Sequence, residues 1–273
     1  MDVLSEINRI ISARNSAFSA VEEFGISVPS DATISELPSL IREIDTDSLE
    51  EQIIDRTISG TYQNSEMTFV RSQAFKTCSQ LTSVSLPQCS FVGGSAFASC
   101  TKLATANFEQ CLSIHQYAFE LCSKLKNVSI PNCSYIGAEA FHNCSYIQSF
   151  SAQNCLAIYS SAFDGCRSLT SISFPACQSI YFRAFYLCTQ LSRASFPKCK
   201  LIQSLAFESC SSFKTLYLTG TTVVSLASSN AFKDTELLRN GAGRIYVRSS
   251  LVSNYKRATN WAYFSSKISS FTS

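Results

Sequence analysis

Glu120, His142 and Asp164 stand 22 residues apart, each directly after the Phe of an Ala-Phe-x-x-Cys motif. A carboxylate, an imidazole and a second carboxylate brought together could bind a divalent metal or relay a proton. The whole column reads Lys76, Ala98, Glu120, His142, Asp164, Tyr186 and Glu208. Around it the sequence offers no evident nucleophile, oxyanion donor or pocket, so no catalytic residue, metal ligand or cofactor is assigned. Walker loops, GxGxxG, HExxH and GxSxxG-like motifs are absent as well.

Thirteen cysteines are the second set with chemical potential, running from Cys78 to Cys210 at a constant spacing of 11 residues. The odd number, and side chains that would point in parallel along a column, disfavour disulfides. Metal sites use close pairs such as C-x-x-C with His nearby, which this spacing lacks. A right-handed coiled coil also has an 11-residue period, but Pro87, Pro131, Pro175 and Pro197 recur at one register and would break any helix. The cysteines are expected as free, buried, unreactive thiols that act as small hydrophobes.

What must position both sets is a repeat. Ala-Phe-x-x-Cys occurs seven times, with Phe75, Phe97, Phe119, Phe141, Phe163, Phe185 and Phe207 each 22 residues from the next. An eighth Ala-Phe, at Phe232, comes 25 residues later and lacks the Cys. A fixed period in the twenties marks stacked supersecondary units. Apolar columns keep the same phase from Leu81 to Phe213, Val84 to Leu216, Leu86 to Leu218 and Val92 to Val224. The L-x-x-V-x-L segment alternates and predicts a short strand with one buried face. The Ala-Phe-x-x-Cys segment does not alternate and predicts a single helical or 3₁₀ turn. No unit can bury its apolar residues alone, so the units stack, like above like, at about 4.8 Å per turn. Phe97, Phe119, Phe141, Phe163 and Phe185, with Cys100, Cys122 and Cys144, then form a ladder inside the core.

The unit resembles the leucine-rich repeat pattern. More closely, LTSVSLPQCSFVGGSAFASC (81–100) is similar to the BspA-like, or Treponema-type, leucine-rich repeats of bacterial surface proteins, and the likeness spans residues 69–218. Gly93 and Gly137 keep the family's glycine, which His115, Tyr159, Tyr181 and Gln203 replace. The resemblance implies a leucine-rich repeat solenoid of short parallel β-strands and helical or 3₁₀ turns, and binding or adhesion without catalysis. It supplies no ligand residues. GRIYVRSSLVSNYKRATNWAYFSSKI (243–268) resembles the closing segment of such proteins in gut bacteria and their phages. LIREI, after VPSDATISELPS, is similar to short N-terminal modules of phage tail-region proteins. These flanks imply a phage virion component, in the tail or fibre, that binds a receptor. The alternative is a bacterial, non-virion protein–protein interaction protein. A solenoid polysaccharide lyase or hydrolase comes third, because only 5 acidic residues lie across 69–218.

The expected organisation is a helical N-terminal module (1–58), the solenoid (59–218) and an α/β C-terminal cap (219–273). Residues 1–58 carry 12 Asp/Glu and 4 Lys/Arg, hence −8, and the remainder 8 acids and 18 bases, hence +10. The two parts attract each other, or the body meets anionic polymers. Leu4, Ile7, Ile11, Arg14, Phe18 and Val21 form a short heptad seam in a helix expected over 2–24. That helix packs in its own module or serves as an oligomerising stalk, and residues 1–44 could attach the chain to a virion. Thr33 and Glu36 suggest a capping box for a helix over 34–44. In the C-terminal segment Ile245–Val247 reads as a final strand, Ser249 or Ser250 as a helix N-cap and Trp261 as a plug. The N-terminus is not a Sec signal, and no apolar run is long enough for a membrane span. The expected location is a virion, or otherwise the cytoplasm or export without a Sec signal. Basic residues are dispersed, so no nucleic-acid partner is expected.

Recognition in repeat proteins usually sits at the variable corners. Here these carry His115, Tyr117, Tyr135, Tyr146, Tyr159, Tyr181, Phe182 and Tyr186, with Tyr159 and Tyr181 in one register. They are the candidate ligand-binding residues for a protein or a cell-surface glycan. A second candidate is the outward strand face, small and nearly uncharged from Ser83 and Ser85 to Thr215 and Tyr217.

Overall fold

One lap of the chain takes 22 residues, and laps bond to one another through two strands and the corner between them, save for one break in the longer strands. The computed structural model describes residues 56, 58–238 and 243–271. Contacts divide the chain into Met1–Asp55 and Arg56–Ser273, and all described residues fall in the second unit. The helices expected over 2–24 and 34–44, and the stalk and attachment roles given to residues 1–44, lie outside the described residues.

The L-x-x-V-x-L segments form the longer strands. Gly60–Gln63, Leu81–Ser85, Thr105–Asn107 and Asn127–Ser129 make one parallel sheet. Ser149–Ser151, Ser171–Ser173, Arg193–Ser195, Thr215–Leu218, Arg244–Val247 and Ile268–Ser270 make another. Two-residue strands from Phe69–Val70 to Ser225–Leu226 form an unbroken eight-stranded parallel sheet. Pairing follows the sequence columns: Val84 lies beside Ala106, Ala106 beside Val128, and Ile136 beside Ile158.

The Ala-Phe-x-x-Cys corner is not the helical turn expected. The residues two before and two after each Phe are left-handed, as at Ser95 and Ser99 (φ 56° and 61°) and at Tyr117 and Leu121 (φ 60° and 59°). Alternate N–H groups therefore point out of the lap. Those of Ser95, Phe97 and Ser99 donate to the carbonyls of Gln116, Ala118 and Glu120 in the next lap at 2.7–2.9 Å. Those of Ala96, Ala98 and Cys100 donate three residues back. A helix would keep every bond inside its own segment, leaving nothing to join neighbouring laps. The left-handed region costs an L-residue about 1–2 kcal/mol, which the bonds between laps offset.

Inside, the rings of Phe75, Phe97, Phe119, Phe141, Phe163 and Phe185 stack face to face. Successive centroids are 4.9, 5.2, 5.3, 5.3 and 5.4 Å apart, with planes within 9°. Cys89 through Cys210 are free, buried thiols. Cys100, Cys122, Cys144, Cys166, Cys188 and Cys210 each donate S–H to the Phe carbonyl 25 residues earlier, at 2.9–3.2 Å. In the other column, Cys89, Cys111, Cys133, Cys155, Cys177 and Cys199 donate to the carbonyl two residues on, at 3.1–3.4 Å.

The longer strands do not pair between Asn127–Ser129 and Ser149–Ser151. The break falls where large and small residues exchange columns. Phe108, Phe174 and Phe196 share one column, and Ala152 interrupts it; two positions earlier, Phe150 stands in a column of Val, Ala and Ile. The Phe150 ring lies 5.0 and 4.7 Å from those of Phe141 and Phe163, taking the place that Phe108 fills between Phe97 and Phe119 at 5.8 and 5.9 Å.

The C-terminal segment covers the last lap. Phe232 continues the Phe stack at 5.5 Å from Phe207, and Phe264 meets it edge-on at 5.4 Å. Trp261 is fully buried, as expected of a plug, and donates from Nε1 to the Val224 carbonyl at 2.7 Å. Two expectations change. Arg244–Val247 is followed by one more strand, Ile268–Ser270, which pairs beside it. The helix Val252–Arg257 has no serine cap; a 3₁₀ turn, Ser249–Leu251, leads into it and Leu251 occupies the cap position.

Candidate functional site

Five half-buried aromatic rings form a ladder along the short-strand sheet. Centroid distances are 4.4 Å from Phe91 to His115, 5.5 Å from His115 to Tyr135, 4.9 Å from Tyr135 to Tyr159 and 5.0 Å from Tyr159 to Tyr181. The rings come from two positions, two residues apart and on the same side of the strand. Where Phe91 or Tyr135 supplies the ring, Gly93 or Gly137 follows; where His115, Tyr159 or Tyr181 supplies it, the earlier position holds Ser113, Ala157 or Ser179. One ring per lap results. The glycines are required by close approach: a Cβ at Gly137 would lie 2.7 Å from the backbone nitrogen of Gln116. Burial pushes the Tyr159 hydroxyl up and holds the His115 imidazole below its usual range.

Four of the eight candidate residues thus come together: His115, Tyr135, Tyr159 and Tyr181. The others lie elsewhere. Phe182 and Tyr186 flank the Arg183 guanidinium, at 5.3 and 4.7 Å from its central carbon. Tyr146 is half exposed under the Lys124 ammonium at 4.2 Å. Tyr117 donates to Glu139 Oε1 at 3.1 Å. Phe91 joins the ladder although sequence reading passed over it; its pairing with Gly93 was the available signal.

The Glu120–His142–Asp164 column is realised in part. His142 Nδ1 lies 3.6 Å from Glu120 Oε1, and its second partner, also at 3.6 Å, is Glu139 Oε2 and not Asp164. Glu139 is the left-handed residue (φ 56°) two before Phe141, and the corner folds it back over His142. Burial raises the Asp164 carboxyl above its usual range, an effect opposed by the His142 and Arg183 charges.

The model of the BspA type leucine-rich repeat region matches six copies, over residues 54–158 and 134–241. The chain belongs to this family. Among solved structures, it resembles a leucine-rich repeat protein of T. pallidum (22% identity, 63% of this chain and 77% of that one, TM-score 0.45). A leucine-rich repeat protein from Bacteroides ovatus (16%, 81% and 85%, TM-score 0.38) and an internalin from Listeria monocytogenes (14%, 72% and 58%, TM-score 0.43) are also similar. No curated protein matches the chain.

Within this BspA-type winding, the outward strand face carries a concavity at the sheet break. Its volume is 320 Å³, and it is lined by Val128, Phe150, Ile172 and the hydroxyls of Ser149, Ser151, Ser171 and Ser173. No helix among the described residues is long and apolar enough to cross a membrane.

Proposed function

We propose that this chain is a non-enzymatic recognition protein, that the aromatic ladder is its binding edge, and that its partner is a protein. One observation carries the reading: five rings, one per lap, in a continuous stripe. Repeat proteins of this family lend themselves to recognition because each lap adds contact area at a fixed interval. Stacking of Tyr159 on Tyr181 supports the protein class. A sugar ring sits on an aromatic face, but Tyr159 and Tyr181, whose planes differ by only 8°, cover one face of each other; the other three pairs are tilted by 45–49°. The rings are half-buried, and the exposed Leu112 and Leu156 lie three residues before His115 and Tyr159. Rigid aromatic edges with polar tips and flanking leucines suit a protein surface. Labelled chain is therefore applied to an array carrying bacterial surface proteins and glycans side by side. Saturable binding to protein features is expected, and it is weakened in Tyr159→Ala/Tyr181→Ala. Binding confined to glycans, or binding that the double variant leaves intact, would overturn the reading.

The narrower form of the proposal is a receptor-binding component of a phage particle, supported by the likeness of residues 243–268 and of the LIREI segment to phage-associated proteins. Antibodies against the chain should then decorate purified particles. Particles that lack the chain would leave the bacterial, non-virion interaction role.

A further inference from the structure

Glu120, Glu139 and His142 converge at one corner, away from the ladder, and we propose that they form a binding site for a divalent transition metal such as Zn²⁺. Their ligand atoms all lie within 4.8 Å of one another. His142 Nδ1 is buried and has no hydrogen-bond partner. Its two neighbours, Glu120 Oε1 and Glu139 Oε2, are each 3.6 Å away. That separation is too long for a hydrogen bond. Two ligand atoms each about 2.0–2.2 Å from a tetrahedral zinc stand about 3.4 Å apart, which is close to the spacing found.

The surroundings orient the ligands as an outer shell does in metal sites. Tyr117 donates to Glu139 Oε1 at 3.1 Å, leaving Oε2 for the centre. The Asn143 side-chain amide lies 3.0 Å from His142 Nε2, where donor and acceptor roles follow the tautomer. In the structure the amide nitrogen faces the ring; metal binding requires the flipped amide, whose oxygen would accept from Nε2–H and leave the Nδ1 lone pair facing the carboxylates. Two carboxylates and a neutral imidazole match the charge of a divalent ion, and three protein ligands leave a fourth position open. Glu120 comes from one lap and Glu139 and His142 from the next, so the ion would also clip two laps together.

The full chain is titrated with Co²⁺, then with Zn²⁺ in competition. One Co²⁺ per chain is expected, with visible d–d bands and no thiolate charge-transfer band in the near ultraviolet. Zn²⁺ should displace the Co²⁺ and bleach these bands, a readout confined to the folded chain because the thiols exposed on unfolding would themselves bind metal. Both responses should weaken about tenfold or more in His142→Gln and Glu139→Gln and persist in Glu109→Gln. If His142→Gln misfolds, Glu139→Gln, which keeps side-chain size, decides alone. Absence of saturable binding, a thiolate band, or ligand variants that bind as the unmodified chain does would overturn the proposal.

Discussion

Cysteine recurs because each site needs a side chain small enough for the lap spacing that can still donate to an inward carbonyl. Alanine would fit but not donate, and serine would bury a stronger polar group. Burial pushes the Cys89 thiol up to about 11, and those of Cys177 and Cys199 up to about 12. Burial likewise raises Cys122, Cys144 and Cys188 well above the ordinary range. The folded state therefore favours the neutral thiol, while the unfolded chain ionises near pH 9. Stability should be complete below pH 9 and fall as the pH climbs toward 11 to 12. Urea unfolding at a series of pH values checks this, and replacing Cys89, Cys177 and Cys199 by Ala should flatten the alkaline slope. A stability that stays level from pH 8 to 11 would contradict it. Burial of the thiols was legible in their 11-residue spacing. Their acceptors were not, because those depend on where the corner dihedrals aim each carbonyl.

The elements divide in the same way. Alternation placed the strands and their register, since a period of two leaves only one face for Val84, Ala106 and their column mates. The corner was misread because Ala, Phe and Cys at short spacing also suit a helical turn. Nothing local in Ser95-Ala-Phe-Ala-Ser99 marks two left-handed residues; the neighbouring lap imposes them by accepting the N–H groups of Ser95, Phe97 and Ser99. The sheet break could have been read from Phe150 and Ala152, where the two columns trade a large residue for a small one. Because the Phe150 ring fills the place of the missing ring at 152, Phe150→Ala alone should cost about 3–5 kcal/mol. Phe150→Ala/Ala152→Phe should recover most of that loss, a coupling that urea denaturation of both variants measures. Loss of stability in the double variant equal to or greater than that in Phe150→Ala would show that the two positions are not exchangeable.

At the scale of the whole molecule, a 22-residue lap converts variation in sequence into variation along a line. The core columns hold Phe, Ala and Cys nearly constant. The positions around the short strands change from lap to lap, yet five successive laps deliver one ring each at 4.4–5.5 Å spacing. The candidate residues that entered the ladder lie in a short strand (Tyr135) or directly after one (His115, Tyr159, Tyr181), so their convergence followed from the period. Tyr117, Tyr146, Phe182 and Tyr186 stand at other points of the lap, and counting aromatic residues could not separate the two groups. The most direct test compares affinity for a partner found on the array between Tyr135→Ala/Tyr159→Ala/Tyr181→Ala and Tyr263→Ala, an exposed tyrosine outside the ladder. With both variants folded by circular dichroism, a large loss of affinity in the ladder variant alone is predicted. Equal affinity in the two would contradict the claim that the ladder is where this protein binds.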